Sequence, residues 1–327
     1  MIARTPSLSR ALMAGIAIAL GLAAPSRATA QNYPARAIHV IVPFPAGPND
    51  GLARLYGQKL SEDMKQPVVI EARPGATGSI GAEAVVKADP DGYTLLFTVD
   101  LPITMAPALL KLPYDPAHDL IPIAGLANSD NVLVVNTSTG IKTLAELVAA
   151  AKAKPGTLTF SSAGHASPAH MCGEMIKRQT GIDMVHVPYT SAAAAMNAVL
   201  AGNVTMFCGP IGAALPHIKA GTVYALGVTG SKPSPLLPDL APLANAYPGL
   251  VISAWYGAFA PVGTPASIIG ALQDAFGRVF ADTAVQSKLP ALGLDPEWLS
   301  GPDLSRRIVA DIGKWRDFVT AANIHAE

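Results

Sequence analysis

The stretch IHVIVPFPAGPNDGLARLYGQKL, from Ile38 to Leu60, decides how the first part of the chain folds. Apart from one histidine, the residues from Ile38 to Val42 are β-branched and apolar, as in a buried strand. From Leu52 onward, apolar residues recur at helical spacing. The eight-residue loop between them holds three prolines and a glycine, whereas ordinary strand-to-helix loops have roughly two to six residues. Such a stiff loop, leading into the start of a helix, indicates a place where the chain holds something.

Strand-like and helix-like segments alternate beyond this stretch. The strand candidates are Ile38–Val42, Val68–Glu71, Thr94–Thr98, Asn131–Val135, Leu158–Ser161, Met184–Val187, Val204–Cys208 and Ala225–Thr229. The helix candidates are Leu52–Asp63, Gly81–Ala88, Thr143–Ala153, Ala169–Gln179, Ala192–Ala201 and Ala213–Lys219. This alternation predicts an α/β protein with a mainly parallel sheet. Thr143 and Glu146 have the spacing of a helix capping box.

The first thirty residues have the pattern of an export signal. Arg4 and Arg10 precede a 14-residue apolar core, and Ala28-Thr29-Ala30 forms a small-residue cleavage pattern. The core is shorter than the roughly 20 residues that a spanning helix needs. We therefore expect cleavage after Ala30 and a mature protein in the periplasm.

The bulk composition excludes several classes of protein. Half of the residues are apolar and 14% are charged, so a disordered chain is excluded. Removal of the three arginines of the signal leaves 20 basic and 23 acidic residues, a net charge of about −3. A charge of this size and sign does not indicate a nucleic-acid or anionic-membrane partner. In an oxidising compartment Cys172 and Cys208 can pair, but two buried free thiols are as consistent with the sequence.

Two breaks suggest how the chain divides. A polar segment at 137–141 follows a strand, and the proline-rich passage 231–248 precedes a return to strand-like sequence. These breaks indicate an inserted middle lobe. We expect residues 31–130 and 250–327 to form lobe 1 and residues 131–249 to form lobe 2, with flexible crossings near 127–132 and 251–255.

Catalytic and metal-binding motifs are mostly absent from the sequence. There is no Gly-x-Ser-x-Gly elbow and no Walker lysine motif, and Gly75, Gly78 and Gly81 do not have dinucleotide-binding spacing. His165, His170 and Cys172 are close in sequence, but their spacing matches no standard zinc site. We therefore expect no metal, no cofactor and no enzyme activity.

Two loops have the pattern of a ligand site. Both the opening loop and TLTFSSAGHASPAH, residues 157–170, follow a strand and lead into a helix. Unpaired N–H groups and the positive end of the helix dipole meet there, so such a loop binds anions without lysine or arginine. Taken singly, each loop is as readily explained by turns and helix caps.

Several blocks of the chain resemble one family. YPARAIHVIVPFPAGPNDGLAR, QPVVIEARPGATGSIGAEAVVKADPDGYTLLF, LPYDPAHDLIPIAGLA, NVLVVN, VHVPY and ALPHIKAG are similar, in this order, to the Bug-type receptors. These are the periplasmic solute-binding proteins of tripartite tricarboxylate transporters. The resemblance implies a type II periplasmic binding protein, in which two α/β lobes joined by two crossing strands enclose a ligand cleft. It also implies a monomer whose partners are a small carboxylate and the membrane components of a transporter.

The resemblance also carries over candidate binding residues. The first loop contributes Phe44, Ala46, Gly47, Asn49 and Asp50, and the second contributes Ser161, Ser162, Ala163, Gly164, Ser167 and His170. The end of the third strand contributes Thr98 and Asp100, and a later turn contributes Gly209 and Ile211. In the family, backbone amides and water hold most of the ligand, so we expect side-chain hydrogen bonds from Ser162, Ser167 and Asn49, and an apolar wall from Phe44. Tyr256 or Trp255 is a further wall candidate, although Trp255 is more readily explained as a core residue of the crossing strand.

This chain departs from the family pattern at three places. Its first loop is one residue shorter and has Pro48, which lacks an N–H donor, in place of a glycine. Gly209 and Pro210 replace a common Asp-Asn pair. Asp100 stands where small neutral residues are usual, and an acid in a carboxylate cleft is unfavourable unless it meets a cation, water or a ligand donor. One hypothesis is that Asp100 receives an N–H or O–H group of the ligand, in which case Asp100→Asn weakens binding tenfold or more; the alternative is a turn cap outside the cleft.

Two alternative functions stay open on the sequence. A receptor for a membrane sensor kinase would use the same fold and cleft. An exported hydrolase built on Ser162 or Cys172 is the alternative from another class.

Overall fold

The computed structural model describes residues 33–45, 47–165, 167–322 and 324. Its strands are β1 (Ile38–Val42), β2 (Val68–Ala72), β3 (Thr94–Val99), β4 (Leu120–Asn136), β5 (Thr159–Ser162), β6 (Val185–Pro188), β7 (Met206–Pro210), β8 (Val223–Val228), β9 (Ser253–Pro261) and β10 (Asp295–Ser300). Its helices are α1 (Pro48–Met64), α2 (Ser79–Val86), α3 (Ala106–Leu109), α4 (Leu144–Ala153), α5 (Pro168–Thr180), α6 (Ala192–Leu200), α7 (Ile211–Lys219), α8 (Ala266–Ala281), α9 (Thr283–Gln286) and α10 (Gly301–Ala322). The capping box of α4 is confirmed, since Thr143 and Glu146 each bond the other's backbone.

The strands hydrogen-bond in the order β2-β1-β3-β9-β4-β7-β5-β6, and β8 and β10 also pair with β4. The outer parts are parallel, with β1 between β2 and β3, and β5 between β6 and β7. In the middle, β9 runs antiparallel to both β3 and β4. The strand β4 is also antiparallel to β7, β8 and β10. The expectation of a mainly parallel sheet is therefore wrong, since antiparallel pairings outnumber parallel ones among the described strands.

The long strand β4 is the reason for this difference. It has 17 residues, of which the sequence pattern predicted only the apolar end, Asn131–Val135. Its first part is interrupted by a proline, a glycine and the polar run Asn128–Asn131. The pairing of β4 with β9 shifts register after Pro122 and after Gly125, so the backbone absorbs these interruptions as irregularities.

The two crossings predicted near 127–132 and 251–255 lie next to each other in the sheet. Asp130 of β4 stands opposite Ser253 of β9. Thr229, which follows β8, ties them together, because its amide donates to the Asn131 carbonyl and its own carbonyl accepts from Ile252. The strand β4 is shared by both parts of the sheet, and the two parts meet at this point, as two connected lobes require.

Separate apolar clusters support the two parts of the sheet. One cluster contains Ile41, Leu96 and Trp255 from the β1–β3–β9 side. Another contains Phe160 and Met171 from the β5–α5 side together with Trp315 from α10. The C-terminal half of α10 thus packs with residues of the expected lobe 2, whereas we expected all of 250–327 in lobe 1. The exact lobe boundaries stay a prediction.

The signal sequence and its cleavage after Ala30 lie outside the described residues. Within the part of the chain that the structure describes, no helix is both long enough and apolar enough to cross a membrane.

Candidate functional site

The predicted first loop leads directly into α1. Gly47 precedes the helix with φ of 80°, a backbone conformation that favours glycine, and it has no side chain with which to cap the helix. Pro48 takes the first helical position, where an N–H group would have no intrahelical partner in any case. Ala46, the remaining small residue of this candidate set, lies outside the described residues. The helix start keeps its positive dipole end, but one of its usual donors is replaced by a proline ring.

Asn49 and Asp50 make up the first turn of α1. Asn49 is 4% exposed, and its amide nitrogen lies 3.5 Å from the Phe97 carbonyl oxygen, which is a weak contact. Its side-chain oxygen has no hydrogen-bond partner within the described residues. Asp50 accepts a 2.8 Å hydrogen bond from Arg54 one turn later. This buried oxygen is an acceptor, which an N–H or O–H group of a ligand can satisfy.

A cavity of about 230 Å³ adjoins this helix start. It is lined by Phe44, Pro48, Asn49, Val99, Asp100, Leu101, Met105, Ser129, Asn131, Pro168, Pro210, Ile252, Ser253, Ala254, Tyr256 and Trp315. Pockets for drug-sized ligands have volumes of roughly 300–1,000 Å³, so this cavity suits a smaller molecule. None of its described lining residues is lysine or arginine. A bound carboxylate would therefore be held by backbone amides and neutral polar groups.

Residues from both parts of the sheet line the cavity. Phe44 and Asn49 come from the β1–α1 loop, and Val99 comes from the end of β3. Pro168 at the start of α5 and Pro210 at the end of β7 come from the other part. The cavity thus lies at the carboxyl ends of strands, where ligands of α/β proteins bind.

Asp100 lines this cavity and is 6% exposed. Burial raises the pKa of its carboxyl to about 8, and the nearby Asp311 carboxylate acts in the same direction. The cations of Arg307 and Lys314 oppose this change but are outweighed. Asp100 is therefore a neutral carboxylic acid at pH 7, which donates a hydrogen bond as well as accepting one.

Tyr256 lies close to Asp100 on the cavity wall. Its strand position pairs with Val99, directly before Asp100, and burial raises the pKa of its phenol. It therefore stays a neutral hydroxyl. Trp255, the adjacent wall candidate, is fully buried and donates a 3.0 Å hydrogen bond from its indole to Asp311. Trp255 is a core residue and Tyr256 a cavity residue, as their alternation along β9 requires.

The second predicted loop uses its hydroxyl groups within the protein. Ser161 donates to the Ala195 carbonyl at 3.0 Å and Ser162 to the Gly164 carbonyl at 2.9 Å. The Ser167 hydroxyl caps α5 by accepting from the His170 amide at 3.4 Å. None of these residues, nor Ala163, Gly164 or His170, lines the cavity described above, although Pro168 does. Their role in ligand binding stays a prediction.

Three further candidates lie beside cavity residues. Thr98 is fully buried and its neighbour Val99 lines the cavity. Gly209 and Ile211 flank Pro210, which lines it, and Ile211 is itself buried. At these two strand ends the candidates are therefore neighbours of cavity residues, whereas Phe44, Asn49 and Asp100 line the cavity themselves.

Three polar residues of the cavity were not predicted from the sequence. Ser129, Asn131 and Ser253 all lie on the crossing strands β4 and β9. The one available signal was the polar run NSDN, residues 128–131, within an otherwise apolar strand. Such a run indicates a strand segment that faces something polar, but not what it faces.

The hydrolase alternative has no support in this geometry. Cys172 and Cys208, which the sequence left undecided, form a disulfide with a Cα–Cα distance of 6.0 Å, so neither is a free thiol. Ser162 Oγ lies 2.6 Å from His186 Nε2, but the side chain is fully buried and its hydroxyl also lies 2.9 Å from the Gly164 carbonyl. A substrate therefore has no access to this hydroxyl.

Comparison with known proteins identifies the family. Residues 52–324 match the family described as "Tripartite tricarboxylate transporter family receptor". Protein BugT of Bordetella pertussis is 36% identical over 313 residues, which cover 93% of this chain and 94% of BugT. A UPF0065 protein of Bordetella bronchiseptica is 33% identical over 315 residues, which cover 96% and 92% of the two chains.

Solved structures agree with this assignment. The structure "R. palustris Rpa4515 with adipate" has a TM-score of 0.77 and 31% identity, covering 90% of this chain and 99% of that one. "MatC (Rpa3494) from Rhodopseudomonas palustris with bound malate" has a TM-score of 0.73 and 31% identity, covering 88% and 100%. The periplasmic binding protein BugD has a TM-score of 0.74 and 28% identity, covering 90% and 100%. The expected two-lobed type II binding-protein fold is confirmed by this likeness.

The matches cover nearly the whole chain, and they are to receptors that bind solutes rather than to enzymes. The chain therefore belongs to the tripartite tricarboxylate transporter receptor family.

Proposed function

We propose that this protein is a periplasmic receptor that captures a small organic acid with an apolar body and delivers it to a tripartite tricarboxylate-type transporter. The observation that carries the proposal is the cavity at the start of α1, which draws its lining from both parts of the sheet. Closure of the two lobes around the ligand would then signal occupancy to the membrane components. The relatives solved with adipate and with malate support a carboxylate as the ligand.

Different groups of the cavity wall contact different parts of the ligand. Backbone amides at the start of α1 face the ligand carboxylate, because the helix dipole favours negative charge there. The side-chain N–H group of Asn49, which makes only a weak 3.5 Å contact with the Phe97 carbonyl, donates to the same carboxylate. Neutral Asp100 donates its proton to a ligand oxygen, and Tyr256 is a second neutral hydroxyl on the wall. Phe44, Met105 and Trp315 contact the apolar body. An organic acid with a hydrocarbon chain or ring fits this division better than a compact, highly charged one.

A ligand screen tests the function. The mature protein, residues 31–327, is melted with adipate, malate, aromatic acids, acidic amino acids and the neutral amide of each. A ligand at one hundred times its dissociation constant adds about 2.7 kcal/mol to the free energy of unfolding, which raises the melting temperature by several degrees. We expect stabilisation by at least one acid and none by its amide. A protein stabilised only by uncharged or cationic compounds would contradict the proposal.

Asn49→Asp is expected to weaken binding of that acid by about tenfold or more, because a second carboxylate then faces the ligand's own. The affinity is measured by isothermal titration calorimetry. Asn203→Asp is the matched control, because Asn203 is exposed and lies outside the cavity. Asn49→Ala, which removes the amide without adding charge, separates the loss of a hydrogen bond from charge repulsion. Equal affinity in the wild type and both Asn49 variants would exclude Asn49 from the site.

A further inference from the structure

Three histidines that are scattered in the sequence meet beside the second loop. One ring nitrogen from each of His165, His170 and His186 lies within 4.8 Å of the others. The rings of His170 and His186 are stacked with centroids 4.0 Å apart, and the His165 ring stands edge-on to both, at 5.4 and 5.0 Å. The sequence showed only the first two of these residues as neighbours, and it grouped them with Cys172, which the disulfide removes as a ligand.

Two of the three rings are on regular elements. His170 is in the first turn of α5 and is buried, and His186 is on β6 and is half-buried. Phe160 of β5 stacks on His186 with centroids 4.9 Å apart, which limits the movement of that ring. His165 is exposed on the loop between β5 and α5. The cluster therefore combines one ring that is held in place, that of His186, with the exposed His165 ring, which is able to adjust.

A hydrogen bond holds the ring of His186. The Ser162 hydroxyl oxygen lies 2.6 Å from His186 Nε2 and 2.9 Å from the Gly164 carbonyl oxygen. When the hydroxyl hydrogen points to Gly164, Nε2 carries the ring proton and the lone pair of the ring is on Nδ1. An imidazole held in this way by a hydrogen bond from its other nitrogen is typical of metal-binding histidines.

Two charged groups that pair with each other lie near the cluster. The nearby cation is Lys177, whose ammonium is 3.0 Å from the Glu174 carboxylate, so its charge is partly compensated.

From this arrangement we infer that His165, His170 and His186 form a binding site for one first-row transition-metal ion, with Zn²⁺ as the reference case. Imidazole nitrogens suit Zn²⁺, Cu²⁺ and Ni²⁺, whereas Ca²⁺ and Mg²⁺ prefer oxygen ligands. Zinc–nitrogen bonds of about 2.0–2.1 Å in a tetrahedral site need nitrogens about 3.4 Å apart. An imidazole lone pair lies in the plane of its ring, so the His170 ring has to turn out of its stack on His186, and the exposed His165 has to close in, for the three to share one ion. Water completes the fourth position.

This site is separate from the cavity proposed for the organic acid, because none of the three histidines lines it. The two are neighbours in the chain, since Pro168, between His165 and His170, does line the cavity. Failure of either proposal therefore leaves the other standing.

Zinc binding by the untagged mature protein tests the inference. After treatment with chelator and its removal, equilibrium dialysis against buffered Zn²⁺ is expected to give one ion per chain, and Zn²⁺ but not Mg²⁺ is expected to raise the melting temperature. His165→Ala, which removes an exposed side chain, is expected to weaken Zn²⁺ binding by at least about tenfold. His118→Ala is the matched control, because the His118 side chain is 82% exposed and remote in sequence from the cluster.

A spectrum adds a readout that a purely structural histidine would not change. Co²⁺ in place of Zn²⁺ is expected to give the intense visible absorption of a four-coordinate site, and His186→Ala to abolish it while the far-UV circular dichroism stays unchanged. If His186→Ala fails to fold, the result for His165→Ala decides. Binding of less than one ion per chain, or equal loss in His165→Ala and His118→Ala, would overturn the site and leave the cluster as an aromatic packing arrangement.

Discussion

Loss of the disulfide between Cys172 and Cys208 is expected to lower the free energy of unfolding by about 3–4 kcal/mol. The two cysteines are 36 residues apart, and in the chain-entropy description a cross-link over a loop of this length removes that much conformational freedom from the unfolded chain. The bond connects α5 with β7, the two elements that bring Pro168 and Pro210 to the cavity. Reduction should therefore affect the lobe-2 side of the cavity more than the β1–β3 side.

Urea unfolding of the mature protein with and without a phosphine reductant measures this effect. The chain has two cysteines, so the reductant acts on this bond alone. Both cysteines are buried, so the samples are equilibrated through the unfolding transition, where the bond becomes accessible. The double variant Cys172→Ala/Cys208→Ala is the control, since its unfolding should not respond to reductant. Coincident curves for the reduced and oxidised wild type would show that the bond adds no stability.

The fold was largely predictable because its outer parts follow simple rules. The strands β1, β5 and β7 are short segments that each lead into a helix, and each was found within a few residues of its observed bounds. The first part of β4 and the whole of β10 were missed. Proline, glycine and polar residues interrupt β4, and β10 alternates weakly around Pro296. Both are strands because antiparallel partners supply their hydrogen bonds, and a local pattern does not contain that information.

The candidate site was predictable to about the same extent. The strand–loop–helix pattern indicated the first loop, and the family resemblance supplied Phe44, Asn49 and Asp100, all of which line the cavity. Asn131 and Ser253 could not be found in this way, because their approach depends on the pairing of two strands more than 100 residues apart. For the same reason, the sequence did not show that His186 lies beside His165 and His170. Distant pairings decide which polar residues share a cavity, and one sequence does not reveal them.

Asp100→Asn is expected to stabilise the protein at pH 7 by about 2–4 kcal/mol. The Asp100 carboxyl has a pKa of about 8 in the folded protein, against an ordinary value of 3.8 in the unfolded chain. Between these values the unfolded chain releases a proton that the folded protein keeps, so the free energy of unfolding falls as the pH rises. Each pKa unit corresponds to about 1.4 kcal/mol, which sets the upper end of the range. An uncharged amide at this position removes the effect.

The measurement is urea unfolding of the wild type and the variant at pH 5, 7 and 8. The stability difference should grow across this window and level off above pH 8. Burial also raises the pKa of Asp130 and of Asp295, but both are present in wild type and variant and cancel in the difference. Asp317→Asn, at a position where the side chain is 78% exposed, should show no such trend. A difference that is constant from pH 5 to pH 8 would contradict a neutral Asp100.

Ligand binding distinguishes the two roles of Asp100, because they predict opposite changes of the ligand affinity with pH. If neutral Asp100 donates its proton to a ligand oxygen, as we propose, the affinity for the organic acid falls as the pH rises through about 8. Asp100→Asn then keeps an N–H donor, binds the acid at pH 7 and loses this pH dependence. If ionised Asp100 instead receives an amino group of the ligand, binding must first remove the proton, so the affinity rises toward pH 8 and Asp100→Asn weakens it tenfold or more. Calorimetric titrations at pH 6, 7 and 8.5 therefore decide between a plain organic acid and one that carries a cationic group.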